Sequence, residues 1–261
     1  MYYLVLLFAA AALLSGGRSA NVNRHLKLLA EMDNHMQSNA VPIRDSSTKK
    51  FISLTKKPPA ISIHETGTTL ELTCEALASP APSIHWFRND APVYEFDLES
   101  NEIVDTNPTS LARITSTLLV PRSSGSARYT CVVVAGHVKS KASAVVVSSD
   151  SSTDLSERSK LVPFAPRILV SYKVFLDIMG NNVVLPCRVR GHPRPHVVWR
   201  NQNNTLVTKD PRMKVLRSGE LVISSLRWSD MGEYSCTASN AFGAARAATF
   251  LYPARPNDTD G

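Results

Sequence analysis

Four cysteines, Cys74, Cys131, Cys187 and Cys236, are the side chains of this 261-residue sequence best placed for chemistry. None stands in a C-x-x-C pair, so zinc ribbons, iron-sulfur clusters and thioredoxin-like redox sites lack their ligand spacing. His192 and His196 stand at i and i+4, a pair that would face one metal on a helix. Pro193 and Pro195 lie between them and exclude that helix, so the pair reads as loop histidines. No nucleophile elbow, phosphate loop, zinc-protease helix or dinucleotide turn occurs. The sequence is therefore read as a non-enzyme with no cofactor and no metal, and the chemistry left to the cysteines is pairing.

Whether they pair depends on the compartment. Leu4–Leu14 is an unbroken apolar run, too short for a span of ~20 residues but suited to a signal-peptide core, and small residues from Ser15 to Ala20 follow it. Residues 1–20 are assigned as a signal peptide, and no later stretch reaches the length of a membrane span. The expected mature protein is secreted into an oxidising compartment, where thiols form disulfides.

Four cysteines allow three connectivities, and internal repetition selects one. Trp86 follows Cys74 by the same interval as Trp199 follows Cys187, and Tyr129 and Tyr234 each stand two residues before the second cysteine of their repeat. That spacing puts Tyr and Cys on one face of a strand. Leu70, Leu72, Cys74 and Ala76 share a parity, as do Val183, Leu185, Cys187 and Val189, which is the period of a half-buried strand. The pattern resembles the immunoglobulin sandwich, in which a disulfide bridges two sheets, a Trp packs on it and a Tyr closes a corner. The expected fold class is all-β, two tandem immunoglobulin-like (I-set/C2-like) β-sandwiches, each with one inter-sheet disulfide: Cys74–Cys131 and Cys187–Cys236. Each bridge closes a loop of about fifty residues, worth ~4 kcal/mol by loop-closure entropy. The second repeat carries Asp230-Met231-Gly232-Glu233-Tyr234-Ser235-Cys236, the usual turn into the strand of the second cysteine. The first has Gly125 and Ala127 in place of the Asp and Gly, so its turn must be held differently, and irregular structure is expected from Tyr94 to Val120.

The segments read as a leader at 21–50, a first domain at 51–147, a polar linker at 148–163, a second domain at 164–254 and a polar tail at 255–261. In the leader, Val22, Leu26, Leu29, Met32 and Met36 fall at helical spacing, yet so short a helix is marginal alone; the leader is read as disordered, with a short helix as the alternative. The formal charge of +7 is uneven. Residues 164–254 hold twelve Lys and Arg against five Asp and Glu, while 58–147 hold six against nine. N-x-[ST] sequons at Asn203 and Asn257 are candidate glycosylation sites.

Two stretches are more apolar than an isolated sandwich requires. Cys131-Val132-Val133-Val134 and Ala144-Val145-Val146-Val147 do not alternate, and with Cys131 inward an outward set of Val132, Val134 and Val146 is expected. Ile168, Val170, Tyr172 and Phe175, at the start of the second domain, exceed what an edge strand needs. These seven residues are the candidates for ligand binding, for contact between the domains or for self-association.

Several segments carry a further likeness: Pro82-Ser83-Ile84-His85-Trp86, Leu176-Asp177-Ile178-Met179-Gly180-Asn181-Asn182 running into Leu185-Pro186-Cys187, Trp228-Ser229-Asp230-Met231-Gly232, and Thr249-Phe250-Leu251-Tyr252-Pro253, of which Leu176–Gly180 and Phe250–Pro253 are more specific than any immunoglobulin domain. With these the chain, from about Phe51 to Pro253, resembles the insect secreted insulin-related-peptide-binding proteins, also called neural/ectodermal development factors. The resemblance implies a partner, an insulin-like peptide hormone, and a function, its sequestration outside the cell and antagonism of insulin signalling. The alternative is an extracellular adhesion or matrix protein whose basic second domain binds heparan sulfate through Arg188, Arg190, Arg194 and Arg200. Nucleic acid is not an expected partner, since no aromatic-basic motif occurs and secretion removes it.

Overall fold

The computed structural model describes residues 50–64, 69–93, 107–120, 125–148 and 163–255, all within one compact unit, Ser47–Gly261. The expected signal peptide, the helical positions of the leader, most of the linker and Asn257 lie outside the described residues. The first repeat builds β1 (Phe51–Lys56), β2 (Ile61–His64), β3 (Leu70–Ser79), β4 (Ser83–Arg88), β5 (Ala91–Pro92), β6 (Leu111–Val120), β7 (Ser126–Ala135) and β8 (Val138–Ser148). The second builds β9 (Phe164–Ile178), β10 (Val183–Leu185), β11 (Cys187–His192), β12 (His196–Arg200), β13 (Met213–Val215), β14 (Leu221–Ile223), β15 (Gly232–Asn240) and β16 (Gly243–Ala254). Two immunoglobulin-like sandwiches result, and both expected disulfides are present, Cys74–Cys131 and Cys187–Cys236. The irregular structure expected from Tyr94 to Val120 is corrected at its end. Leu111–Val120 is a regular ten-residue strand, because Ala112, Ile114, Ser116 and Leu118 alternate inward against β3. Residues 94–106 lie outside the described residues.

The two sandwiches share a sheet. Its strands run β1-β3-β6-β9-β16-β15-β12, with β11 also pairing β9, while β2-β8-β7-β4-β5 and β10-β14-β13 form the other two sheets. The long strand β9 makes the join. One edge pairs antiparallel with β6 of the first sandwich; the other pairs first with β11 and then in parallel with β16. Paired along both edges, β9 is an interior strand that serves two cores, which explains why its sequence is more apolar than an edge strand.

A bulge sets which way its side chains point. Ile114 pairs with Tyr172 but Arg113 with Val174, so Lys173 is the extra residue. Tyr172 and Phe175 therefore fall on the same side, their rings stacked at 5.2 Å. Phe175 belongs to the second core together with Ala81 and Ala112 of the first sandwich, Val170 packs on the first core, and Tyr172 packs on both. The Tyr172 hydroxyl donates to the Pro82 carbonyl at 3.3 Å, and burial pushes its pKa well above the ordinary tyrosine value.

Partners in register share a face, so the faces can be followed across the join. Cys74 faces the first core with Ser116; two turns of the pleat along β6, Ala112 pairs with Phe175, Phe175 with Leu251, and Leu251 with Gly232, whose strand carries Tyr234 and Cys236 inward. Along β3-β6-β9-β16-β15 both cores thus lie on one face of the shared sheet, whereas β11, whose Cys187 bonds to Cys236, belongs to the layer that faces it across the second core.

Glu75 holds the join from the other face. It is 7% exposed and accepts from Thr55 Oγ1 at 2.9 Å, Thr115 Oγ1 at 3.2 Å and Lys173 Nζ, with Arg113 Nε at 3.6 Å. Burial raises its pKa, but the Lys173 and Thr55 hydrogen bonds, the Lys173 charge and the Thr115 bond together outweigh burial and leave it lowered. Its folded pKa lies below the unfolded one, so its stabilisation is complete above about pH 4.5 and disappears as pH falls through the depressed value.

Two measurements test the join. Tyr172→Ala should cost about 3 kcal/mol in denaturant unfolding, and Tyr172→Phe, which loses only the hydroxyl bond, about 1 kcal/mol. Glu75→Gln should lower stability at pH 7 by roughly 1–2 kcal/mol, discounted for the exposed Lys173 and Arg113, and should flatten the acid limb of the stability profile. An unchanged acid limb would refute the role given to Glu75.

Candidate binding surface

The residues around the disulfides hold the sandwiches rigid beneath their surfaces. Trp86 Nε1 donates to Ser116 Oγ at 3.0 Å, and Trp199 Nε1 to the Gly219 carbonyl at 2.9 Å. Gly219 has φ +97, and a Cβ there would meet the Cys187 carbonyl at 2.4 Å, so the residue must be glycine. In the second sandwich Tyr234 Oη donates to the Asp230 carbonyl at 3.0 Å, closing the tyrosine corner; burial, then Asp230, pushes its pKa up to about 12. The Asp230 carboxylate accepts from Arg212 Nη2 at 2.7 Å, Arg212 Nη1 at 2.9 Å and the Arg227 amide at 2.8 Å. That bond to Asp230 leads the causes raising the Arg212 pKa. In the first sandwich Tyr129 is 1% exposed and its hydroxyl has no hydrogen-bond partner among the described residues, which fits the missing Asp and Gly of its turn.

On the face of β3-β6-β9-β16-β15 opposite the cores, no layer covers the join among the described residues. Val174 pairs with Phe250, and Leu111, Leu176 and Tyr252 follow one another in register across three strands. Val174 is 37% exposed and Phe250 45%. At the second-sandwich end the Trp228 ring, 45% exposed, meets Tyr252 edge-on at 6.0 Å, and the Arg255 guanidinium lies 5.7 Å from its centroid. The Asp230–Arg212 bonds fix the turn that carries Trp228. On the first-sandwich side the apolar strip borders the charged group of Glu75, Arg113 and Lys173, and on the other the exposed Glu233–Arg246 pair at 3.8 Å. An apolar centre with a charged rim is the anatomy of a protein-binding surface.

The sequence-selected residues lie elsewhere. Phe175 is buried in the second core, while Ile168, Val170 and Tyr172 are half-buried and pack against the two cores, so their apolar area is largely taken up by the join. Val132, 8% exposed, and Val134 do face outward on the five-stranded sheet, paired with His85 and Lys141, and with Ser83 and Lys139. Val146 is corrected: it pairs with Ala127, on the inward parity of Cys131, and joins the first core. The outward valines of β8 are Val145 and Val147, beside the exposed Ile61 and Ile63 of β2. Sequence reasoning missed Phe250, Val174 and Trp228; the alternation of Phe250 and Tyr252 against Leu251 and Pro253 was the available signal. His192 ends β11 and His196 begins β12, and the described residues hold no cluster able to bind a metal.

Residues 166–252 match the immunoglobulin I-set domain and residues 53–134 an immunoglobulin domain. The chain is 35% identical over 251 residues to neural/ectodermal development factor IMP-L2 of Drosophila melanogaster, covering 94% of both. It is 31% identical to Zwei Ig domain protein zig-2 of Caenorhabditis elegans, over 81% of this chain and 89% of that one. The crystal structure of neural ectodermal development factor IMP-L2 superposes with a TM-score of 0.66 at 32% identity, covering 78% of this chain and 95% of that one. Fold and bridges define a tandem immunoglobulin-domain protein. Within that class, the chain belongs to the neural/ectodermal development factor family.

The Asn203 sequon sits in the turn after β12. Asn201 Oδ1 accepts the amides of Asn203 at 3.1 Å and Thr205 at 3.0 Å, and Asn203 itself is exposed. Protein secreted from an insect cell line should carry a glycan there, read as a mobility shift on glycosidase treatment that Asn203→Gln reduces; no change on that substitution would refute the site.

Proposed function

We propose that the chain is a secreted, non-enzymatic binding protein that captures insulin-like peptide hormones on the open face of its shared sheet and so opposes insulin signalling. Family membership supports the class of ligand. The observation that carries the location is the exposed Val174–Phe250 pair at the centre of an apolar strip that crosses both sandwiches. A small helical hormone presents an apolar receptor-binding face, and covering that face with a comparable strip lowers free hormone by mass action. The charged rim supplies orientation, since Arg113 and Lys173 border one side of the strip and Glu233 the other.

The test is a titration of the secreted chain with a labelled insulin-like peptide. Phe250→Asp should weaken binding by ~30-fold or more, the scale of an aromatic hot spot at about 2 kcal/mol, while circular dichroism and both disulfides stay unchanged. Val147→Asp, at an exposed outward position of the other sheet, should leave binding intact. Loss of binding in the Val147 variant alone would move the site to the valine face, and absence of binding by the wild-type chain would overturn the hormone assignment. Tyr172→Asp is not informative here, because it buries a charge between the two cores.

A further inference from the structure

Charge in the second sandwich is spent unevenly. All five of its carboxylates are engaged: Asp210 and Asp230 by Arg212, Glu220 by Arg188, Glu233 by Arg246, and Asp177, 2% exposed, by Asn107 Nδ2, Asn181 Nδ2 and the Ile178 amide. Arg167 and Lys173 turn to Glu71 and Glu75 of the first sandwich. Among the described residues Arg190, Arg194, Arg200, Lys209 and Arg217 form no ion pair with a carboxylate. Three of these collect at one end. Arg194, in the turn between β11 and β12, donates from Nη2 to the carbonyl of Arg217, in the turn between β13 and β14, at 2.5 Å. Arg190 lies near the end of β11 that enters the same turn and pairs in register with Arg167.

This end is also tied down. Asn240 Nδ2 donates to the Pro193 carbonyl at 3.0 Å and to the Phe164 carbonyl at 2.9 Å, fastening the β11–β12 turn to the start of β9. The Arg194 guanidinium is thus held at the turn that carries Arg217, Arg190 lies on the strand that enters the same end, and none of the three forms an ion pair with a carboxylate among the described residues. An anion placed among them would supply that missing counter-charge. The two-pronged guanidinium suits oxyanions that offer a pair of oxygens, such as sulfate and carboxylate.

We propose that Arg190, Arg194 and Arg217 form a binding site for a sulfated glycosaminoglycan, at the end of the second sandwich and apart from the open sheet face. Of the arginines that composition alone suggested, Arg190 and Arg194 belong to it. Arg188 is taken by Glu220, and Arg200 stands at the opposite end of β12, its Nη1 on the Asn204 carbonyl at 2.9 Å. The site is independent of the hormone reading. A chain held on matrix polysaccharide by this end would still present its open face.

Heparin is the probe. The wild-type chain should be retained on immobilised heparin at 0.15 M salt, in the range where exposed charge contacts still act. The double variant Arg190→Gln/Arg217→Gln should lose roughly tenfold in affinity. Arg200→Gln/Lys209→Gln removes the same charge from the far end and should bind as wild type does, and matching thermal melts show that each variant is folded. Equal losses in the two double variants would reduce the effect to net charge and overturn the site. So would wild-type flow-through at 0.15 M salt, or retention by phosphatidylserine vesicles without retention by heparin.

Discussion

Everything in this molecule follows from the pairing of β6 with β9. An exposed strand edge is an invitation to aggregate, and β6 would present one after its pairing with β3. The first strand of the second sandwich fills that edge from Ser116 to Leu111. Once it does, the two sandwiches cannot be independent: they have a strand ladder in common, and their cores lie on one face of it. Among the described residues the opposite face of these strands then receives no covering layer, so its apolar strip is a product of topology as much as of composition.

The single extra residue at Lys173 makes this arrangement workable. Without a bulge, the period of two would put Phe175 on the face opposite Tyr172, and their stacked pair at the join would be lost. With it, Val170 and Tyr172 serve the first core, Phe175 the second, and Lys173 is delivered to Glu75 on the open face. A buried carboxylate is a poor source of net stability, but four donors aimed at Glu75 from β1, β6 and β9 penalise any other register of the join.

How much of this was legible depended on sequence distance. The disulfides, their tryptophans and the tyrosine corner at Asp230 are set by local spacing and parity, so the sandwiches could be read directly. The unusual apolarity of residues 164–175 was legible as a fact about β9 but not as a partner for it, because pairing with β6 is a long-range event that no local pattern encodes. Val146 was assigned outward because an unbroken valine run carries no parity of its own; only the register of β8 against β7 fixes it. Phe250 and Val174 escaped notice for the same reason in reverse. Each looks like an ordinary strand residue until the sheet brings them side by side.

The ladder also removes the hinge. In a string of immunoglobulin domains joined by connections alone, each joint swivels, and a ligand touching both neighbours must freeze that motion at an entropic cost. Here the bearing of one sandwich on the other is set by main-chain bonds between 111–116 and 170–176. A ligand that spans the join therefore meets both halves already in place, and its binding need not still a swivelling joint.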